Sequence, residues 1–209
     1  MLDSRILIGY PIDFKGICKI YPPTVQEVVT NSDFPAYVRL LTITQDELEY
    51  EFKKEKKEGT ALTPIEFLLN CAFHDIQVKA LAVEAFRFFI REKVTFAFEK
   101  KCVIIGDKEE ELECLTEEDY FNFQNAIRAA IGTKPIKPPE PVDPNENPRI
   151  TEMKRKARER DRIKAKQASK GGIQLSTSLV AICCMGIGIT PLNIGELSYA
   201  AIGPIMDMM

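Results

Sequence analysis

His74, with Cys71 three residues before it and Asp75 directly after, is the grouping in this chain best equipped for chemistry, since an imidazole beside a thiol and a carboxylate can activate a nucleophile. It is also the only histidine. No nucleophile-elbow or cysteine-protease sequence surrounds it, so a structural histidine is the better reading. The acidic clusters Glu109 to Glu111 and Glu117 to Asp119 lack the alternating spacing and central glycine of a calcium loop, and suit a solvated loop and a helix start. Six cysteines (Cys18, Cys71, Cys102, Cys114, Cys183 and Cys184) contain no CxxC pair, and one imidazole is too few for an ordinary zinc site. Cys71, Cys183 and Cys184 lie in apolar surroundings and are expected to be reduced, buried thiols. Gly186-Ile-Gly188 carries neither dinucleotide-loop nor P-loop spacing. No catalytic residue, cofactor or metal ligand is therefore expected, and the chain does not read as an enzyme.

Charge provides the next candidate. Nine Lys/Arg against Glu152, Glu159 and Asp161 give residues 151–170 a local charge of +6, so a net −3 leaves −9 for the rest. Closely spaced cations attract phosphates in a salt-sensitive way. This arm has no interleaved aromatics and no accompanying zinc-finger or RNA-recognition pattern, which favours a solvated helical connector or a protein-contacting arm over a nucleic-acid site.

The arm follows a segment with six prolines between Thr133 and Ile150. The organisation reads as an α+β body over 1–132, mainly helical with short β-hairpins, a Pro-rich linker over 133–150, a basic helical arm over 151–170 and a small apolar helical tail module over 171–209. In the body, Ile6-Leu-Ile8 and Ile17 to Ile20 are β-prone runs around a turn, and Thr24 with Glu27, Thr44 with Glu47 and Thr63 with Glu66 have capping-box spacing. Thr63-Pro64 opens the main helical spine. Its apolar stripe runs through 65, 68, 69, 72, 73, 76, 80, 83, 86, 89 and 90, whole or broken near His74-Asp75. Val94 to Phe98 and Cys102 to Ile105 form a hairpin, with a third strand at Leu112 to Leu115. Thr116 opens a last helix, which Gly132 stops.

The tail closes the reading. The 39 residues of 171–209 are too few to bury their apolar positions alone, so the tail is expected to pack weakly on itself and strongly on a partner. The apolar run Leu179 to Ile189 is well short of the roughly 20 residues that span a bilayer, and no signal-peptide stretch opens the chain, so a cytoplasmic, non-membrane protein is expected.

The order of several features resembles a family of phage and prophage tail assembly chaperones from Gram-positive hosts. These are Ile20-Tyr-Pro-Pro-Thr24 before Val25 to Val29, Phe34-Pro-Ala-Tyr37, Leu40 to Ile43, Phe86-Arg-Phe-Phe-Ile90 before a hairpin, Tyr120-Phe-Asn-Phe-Gln124, and the closing Gly188 to Leu197 running into Ser198 to Ala201. The resemblance covers most of the chain through spaced apolar and turn residues.

It implies a non-catalytic protein of the host cytoplasm that binds the tape measure protein and keeps it soluble during tail assembly. The tail tube protein is a second candidate partner, and oligomerisation is left open. The ending at Asp207-Met-Met209 would suit a protein also made in a longer frameshifted form. The expected partner contacts are Lys154, Arg155, Arg158 and Arg162 on the arm, with Leu175, Leu179, Ile189, Leu192, Ile194, Leu197 and Ile202 on the tail. The rival readings are a phage nucleic-acid-associated protein using the arm, and a virion structural subunit such as a head-tail connector.

Overall fold

The computed structural model describes residues 6, 8–54, 62–106, 113–136, 149, 153, 157, 160, 178–179, 182–183, 189 and 193–206. The described body is α+β and mainly helical. A hairpin of β1 (Ile12–Phe14) and β2 (Cys18–Ile20) leads into α1 (Val25–Thr30), α2 (Phe34–Thr42) and α3 (Gln45–Lys54). Helices α4 (Pro64–His74) and α5 (Ile76–Ile90) then precede a three-stranded antiparallel sheet of β3 (Val94–Ala97), β4 (Cys102–Ile105) and β5 (Glu113–Leu115), in that spatial order. Helix α6 (Glu117–Ala130) completes the body. The tail supplies two 3₁₀ turns, Ile194–Glu196 and Tyr199–Ala201, and the short α7 (Ile202–Met206).

The first hairpin differs from the expectation, because its first strand is Ile12–Phe14 and not the run Ile6-Leu-Ile8. Turn geometry decides this. Lys15 and Gly16 both have positive φ, 53° and 75°, and the Ile17 amide donates to Phe14 O at 2.9 Å, so the chain reverses over Lys15-Gly16-Ile17. The strands pair on either side of this three-residue loop, Phe14 opposite Cys18 and Ile12 opposite Ile20.

All three expected capping boxes form. The Glu27, Glu47 and Glu66 backbone amides donate to Thr24, Thr44 and Thr63 hydroxyls at 3.2, 3.2 and 3.4 Å, and each glutamate accepts from its threonine's amide. Thr116 makes no such cap: its hydroxyl is 3.4 Å from Asp119, and Asp119 pairs with Lys15 on the first hairpin. Gly132 ends α6 at φ 72°, its amide donating to Ala129 O while Thr133's donates to Arg128 O, a Schellman closure.

Helix α5 is the spine, with Ala82, Ala85, Phe86, Phe89 and Ile90 fully buried. Phe86 stacks on Phe123 of α6 at 5.5 Å, and Phe14 meets Phe123 edge-on at 5.7 Å, so one aromatic column ties the first hairpin, α5 and α6 together. Gln124, itself buried, donates its amide to Leu41 O and Ile43 O and satisfies the carboxyl end of α2. Arg91 closes α5 in the left-handed region (φ 63°); its guanidinium lies 4.5 Å over the Tyr21 ring and 3.1 Å from Glu27, joining α5 to the approach of α1. The described linker position Arg149 and arm positions Met153, Ala157 and Arg160 have helical backbone and are exposed.

Candidate protein-binding surfaces

Asp75 builds the first surface. It is the last cap of α4, its amide donating to Cys71 O, and the first cap of α5, its carboxylate accepting from the Gln77 and Val78 amides at 2.8 and 3.3 Å. One extended residue (φ −130°, ψ 114°) thus ends one helix and starts the next. The break rotates the apolar stripe, and the residues on either side of it are thrown outward: Phe73 is 64% exposed and Ile76 82%. Both were expected in the core stripe, and Ala82 and Ala85 take the buried positions instead. Phe73 is not loose, because its ring meets Phe98 edge-on at 5.2 Å and His74 at 5.1 Å, and Lys79 Nζ sits 5.6 Å over Phe98. The corner presents an apolar knuckle on a doubly capped, rigid support.

The same corner answers the chemical question that His74 raises. Asp75 spends its carboxylate on backbone amides. Burial first and the Asp75 charge second push the Cys71 thiol above its ordinary value, the wrong direction for a nucleophile. Burial first, then the Glu92 and Asp13 charges, pushes the Cys18 thiol up to about 12, in the same direction. Cys102 and Cys114 form a disulfide between β4 and β5, which the sequence did not announce, since the two residues are separated by 12 positions and show no recognisable spacing. Cys183 is a half-buried free thiol. Cys184 lies outside the described residues.

The second surface is where the tail lands. Leu179, Ile189, Ile194, Leu197 and Ile202, expected to meet a partner, pack in one cluster with Ile182 around Val25 of α1. The contact is also polar. The Val25 amide donates to Leu197 O and the Tyr199 amide to Pro23 O, both at 2.8 Å, forming an antiparallel bridge centred on Thr24 and Ser198. Ser198 is 4% exposed and its hydroxyl donates to Ile6 O. The Tyr199 ring meets Phe34 at 5.6 Å. Ala200 lies so close to Gly132 that a Cβ there would come within 2.9 Å of Ala200 O.

The expectation of a tail with unsatisfied apolar surface is therefore corrected for its described residues. The body offers them a surface through Pro23, Val25 and Gly132, and burial against the chain itself is available without a partner. Lys154, Arg155, Arg158, Arg162, Leu175 and Leu192 lie outside the described residues. The signal for this docking is the extended Thr24 after Pro22-Pro23, beside which the Pro23 carbonyl and the Val25 amide are offered to a second strand.

Among the described residues no group of three or more His, Cys, Asp or Glu side chains could hold a metal ion, and no helix is long and apolar enough to cross a membrane. In comparisons with known proteins, no family model matches the chain, and no curated protein or solved structure matches it.

Proposed function

We propose that this chain is a non-catalytic protein-binding factor, and that its role is that of a tail assembly chaperone holding the tape measure protein soluble in the host cytoplasm. The observation that carries the reading is the knuckle of Phe73 and Ile76, a large exposed aromatic and aliphatic pair held on a corner too well capped to fold inward. Such a surface suits the apolar stripe of a long helical client, whose exposed residues would otherwise drive aggregation. The order of sequence features described above supports the client's identity. The tail, already seated on α1, is not the client-holding surface in this reading.

One observation weighs against the location. Disulfides persist in oxidising compartments and are rare in the cytosol, so in the proposed setting the Cys102–Cys114 bond would be open for most of its life.

The test is co-expression of the full chain with the tape measure protein, followed by measurement of the soluble fraction of the client. Wild type should keep it soluble; a Phe73→Asp, Ile76→Asp double variant should lose at least half of that effect with an unchanged melting temperature. Equal protection by the double variant would remove the knuckle from the mechanism. Recovery of the chain in purified particles would favour a virion subunit instead.

A further inference from the structure

The bond between Cys102 and Cys114 is built asymmetrically. Cys102 is 2% exposed on β4, while Cys114 is exposed on β5, which pairs only with β4 in the three-stranded sheet. An incoming thiolate attacks the sulfur that solvent reaches, so access selects Cys114 as the sulfur attacked and Cys102 as the leaving group. The bond also lies apart from the main core. Val94, Phe96, Val103, Ile105 and Leu115 belong to that core, and side chains alternate along a strand, which puts Cys102 and Cys114 on the opposite face. Opening the bond therefore leaves the core contacts of the sheet in place.

Backbone pairing decides which part of β5 the bond retains. The Gly106 amide donates to Lys93 O, and hydrogen-bonded pairs alternate in an antiparallel ladder, so Cys102 and Ile104 turn their backbone groups to β3. Val103 and Ile105 then turn theirs to β5, opposite Leu115 and Glu113. Leu115 is fully buried in the core, whereas Glu113 and Cys114 are exposed. Among the described contacts, the outer end of β5 is thus held by one hydrogen-bonded pair, Ile105 with Glu113, and by the disulfide. A strand end with so few bonds opens locally, well below the cost of global unfolding.

We propose that Cys102–Cys114 is a redox latch on the outer end of β5, opened at Cys114 by a dithiol reductant while the core stays folded. A thiolate of the dithiol attacks Cys114 Sγ, the bond to Cys102 breaks, and Cys102 leaves as a thiolate that takes a proton from water. The second thiolate of the reductant attacks its own sulfur in the mixed disulfide and displaces Cys114, which is protonated in turn. The cystine gains two electrons and two protons, and the dithiol ends as an intramolecular disulfide. Glu113 and Cys114 then lift from β4 about the fixed Leu115, and the Ile105 backbone groups are released. Exchange in reverse, with a disulfide as oxidant, closes the latch. The device is independent of the client-binding reading.

The experiment uses the purified full chain in its oxidised form, with dithiothreitol as the dithiol. Opening, followed by alkylation of Cys102 and Cys114 and by mass, should be first order in dithiothreitol and unchanged by urea too dilute to unfold the chain. On reduction, the ratio of the Ile105 to the Phe89 amide exchange rate should rise at least about tenfold, with Glu113 following Ile105 and Leu115 following Phe89. The ratio cancels any loss of overall stability, which speeds both amides alike. Re-oxidation with glutathione disulfide should restore it, and the Cys114→Ala variant should show the raised ratio without reductant.

Opening that accelerates with urea in step with global unfolding would mean that the bond is reached only in the unfolded chain, and would overturn the proposal. An unchanged ratio in the reduced chain or in Cys114→Ala would overturn it too, as would global unfolding on reduction, because the bond would then staple the whole fold and latch no part of it. None of these readouts contains the tape measure protein, so the result stands apart from the solubility test above.

Discussion

Tyr120 and Arg128, both on α6, each carry a buried polar atom without a hydrogen-bond partner, the tyrosine hydroxyl and Arg128 Nε. Arg128 offsets its burial by donating to Thr42 O and Lys134 O, and burial lowers its pKa from the ordinary value. Tyr120 has no such relief, and burial drives its pKa well above that of free tyrosine. An unpaired buried hydroxyl costs about 1–3 kcal/mol, so Tyr120→Phe should stabilise the chain by about 1 kcal/mol, read as a rise in melting temperature of a few degrees. The sign of the pH dependence follows. The raised folded value means that below pH about 10 the hydroxyl is neutral in both folded and unfolded chains and adds no pH-dependent term. Above that pH the unfolded chain ionises first and wild type loses stability, and the variant should lose less. A variant that melts lower at neutral pH would show that the hydroxyl has a partner.

At the scale of elements, the β4–β5 connection is held covalently. Cys102 is buried and Cys114 exposed, on adjacent antiparallel strands with Cα atoms 6.2 Å apart. Closing a loop of this length restricts the unfolded chain by about 3 kcal/mol in the chain-entropy account. Reduction, or the Cys102→Ala, Cys114→Ala pair, should therefore lower stability by about 2–3 kcal/mol, checked by denaturant unfolding with and without reductant. No change on reduction would mean that the bond does not form in solution. On the other side of β4, Lys101 in the β3–β4 turn pairs with Glu66 at 2.8 Å, joining that hairpin to the first turn of α4. The Lys101 hydrogen bond, then the Thr63 amide, holds the Glu66 carboxyl below its usual range. That contribution is present above the ordinary carboxylate value and is lost as pH falls through the lowered one.

At the scale of the whole molecule, Gly132 carries two duties. It adopts φ 72° to close α6, and its missing Cβ admits Ala200 of the tail. Gly132→Ala should thus cost more than the roughly 1 kcal/mol of a strained left-handed alanine, and should also speed exchange of the Tyr199 amide. Gly132→Asn tolerates the backbone better and should keep more stability, yet it should release the tail equally. If the Tyr199 amide stayed protected in both variants, the contact between Gly132 and Ala200 would not govern docking.

Local rules were legible from residue spacing alone. The three Thr-to-Glu capping boxes, the Val94-to-Ile105 hairpin, the stop at Gly132 and the α+β class each depend on residues a few positions apart, and their hydrogen bonds form as the spacing implies. What stayed hidden depends on contacts between distant segments. The outward turn of Phe73 and Ile76 follows from the rotation that Asp75 imposes between α4 and α5. The Cys102–Cys114 bond follows from strand pairing, and the seat of the tail follows from one free edge at Thr24 and one missing side chain at Gly132. Apolar composition determined that the tail had to be covered, but composition carries no address. Only the three-dimensional arrangement of α1, α2 and the end of α6 decided that the described part of that cover is the chain's own body.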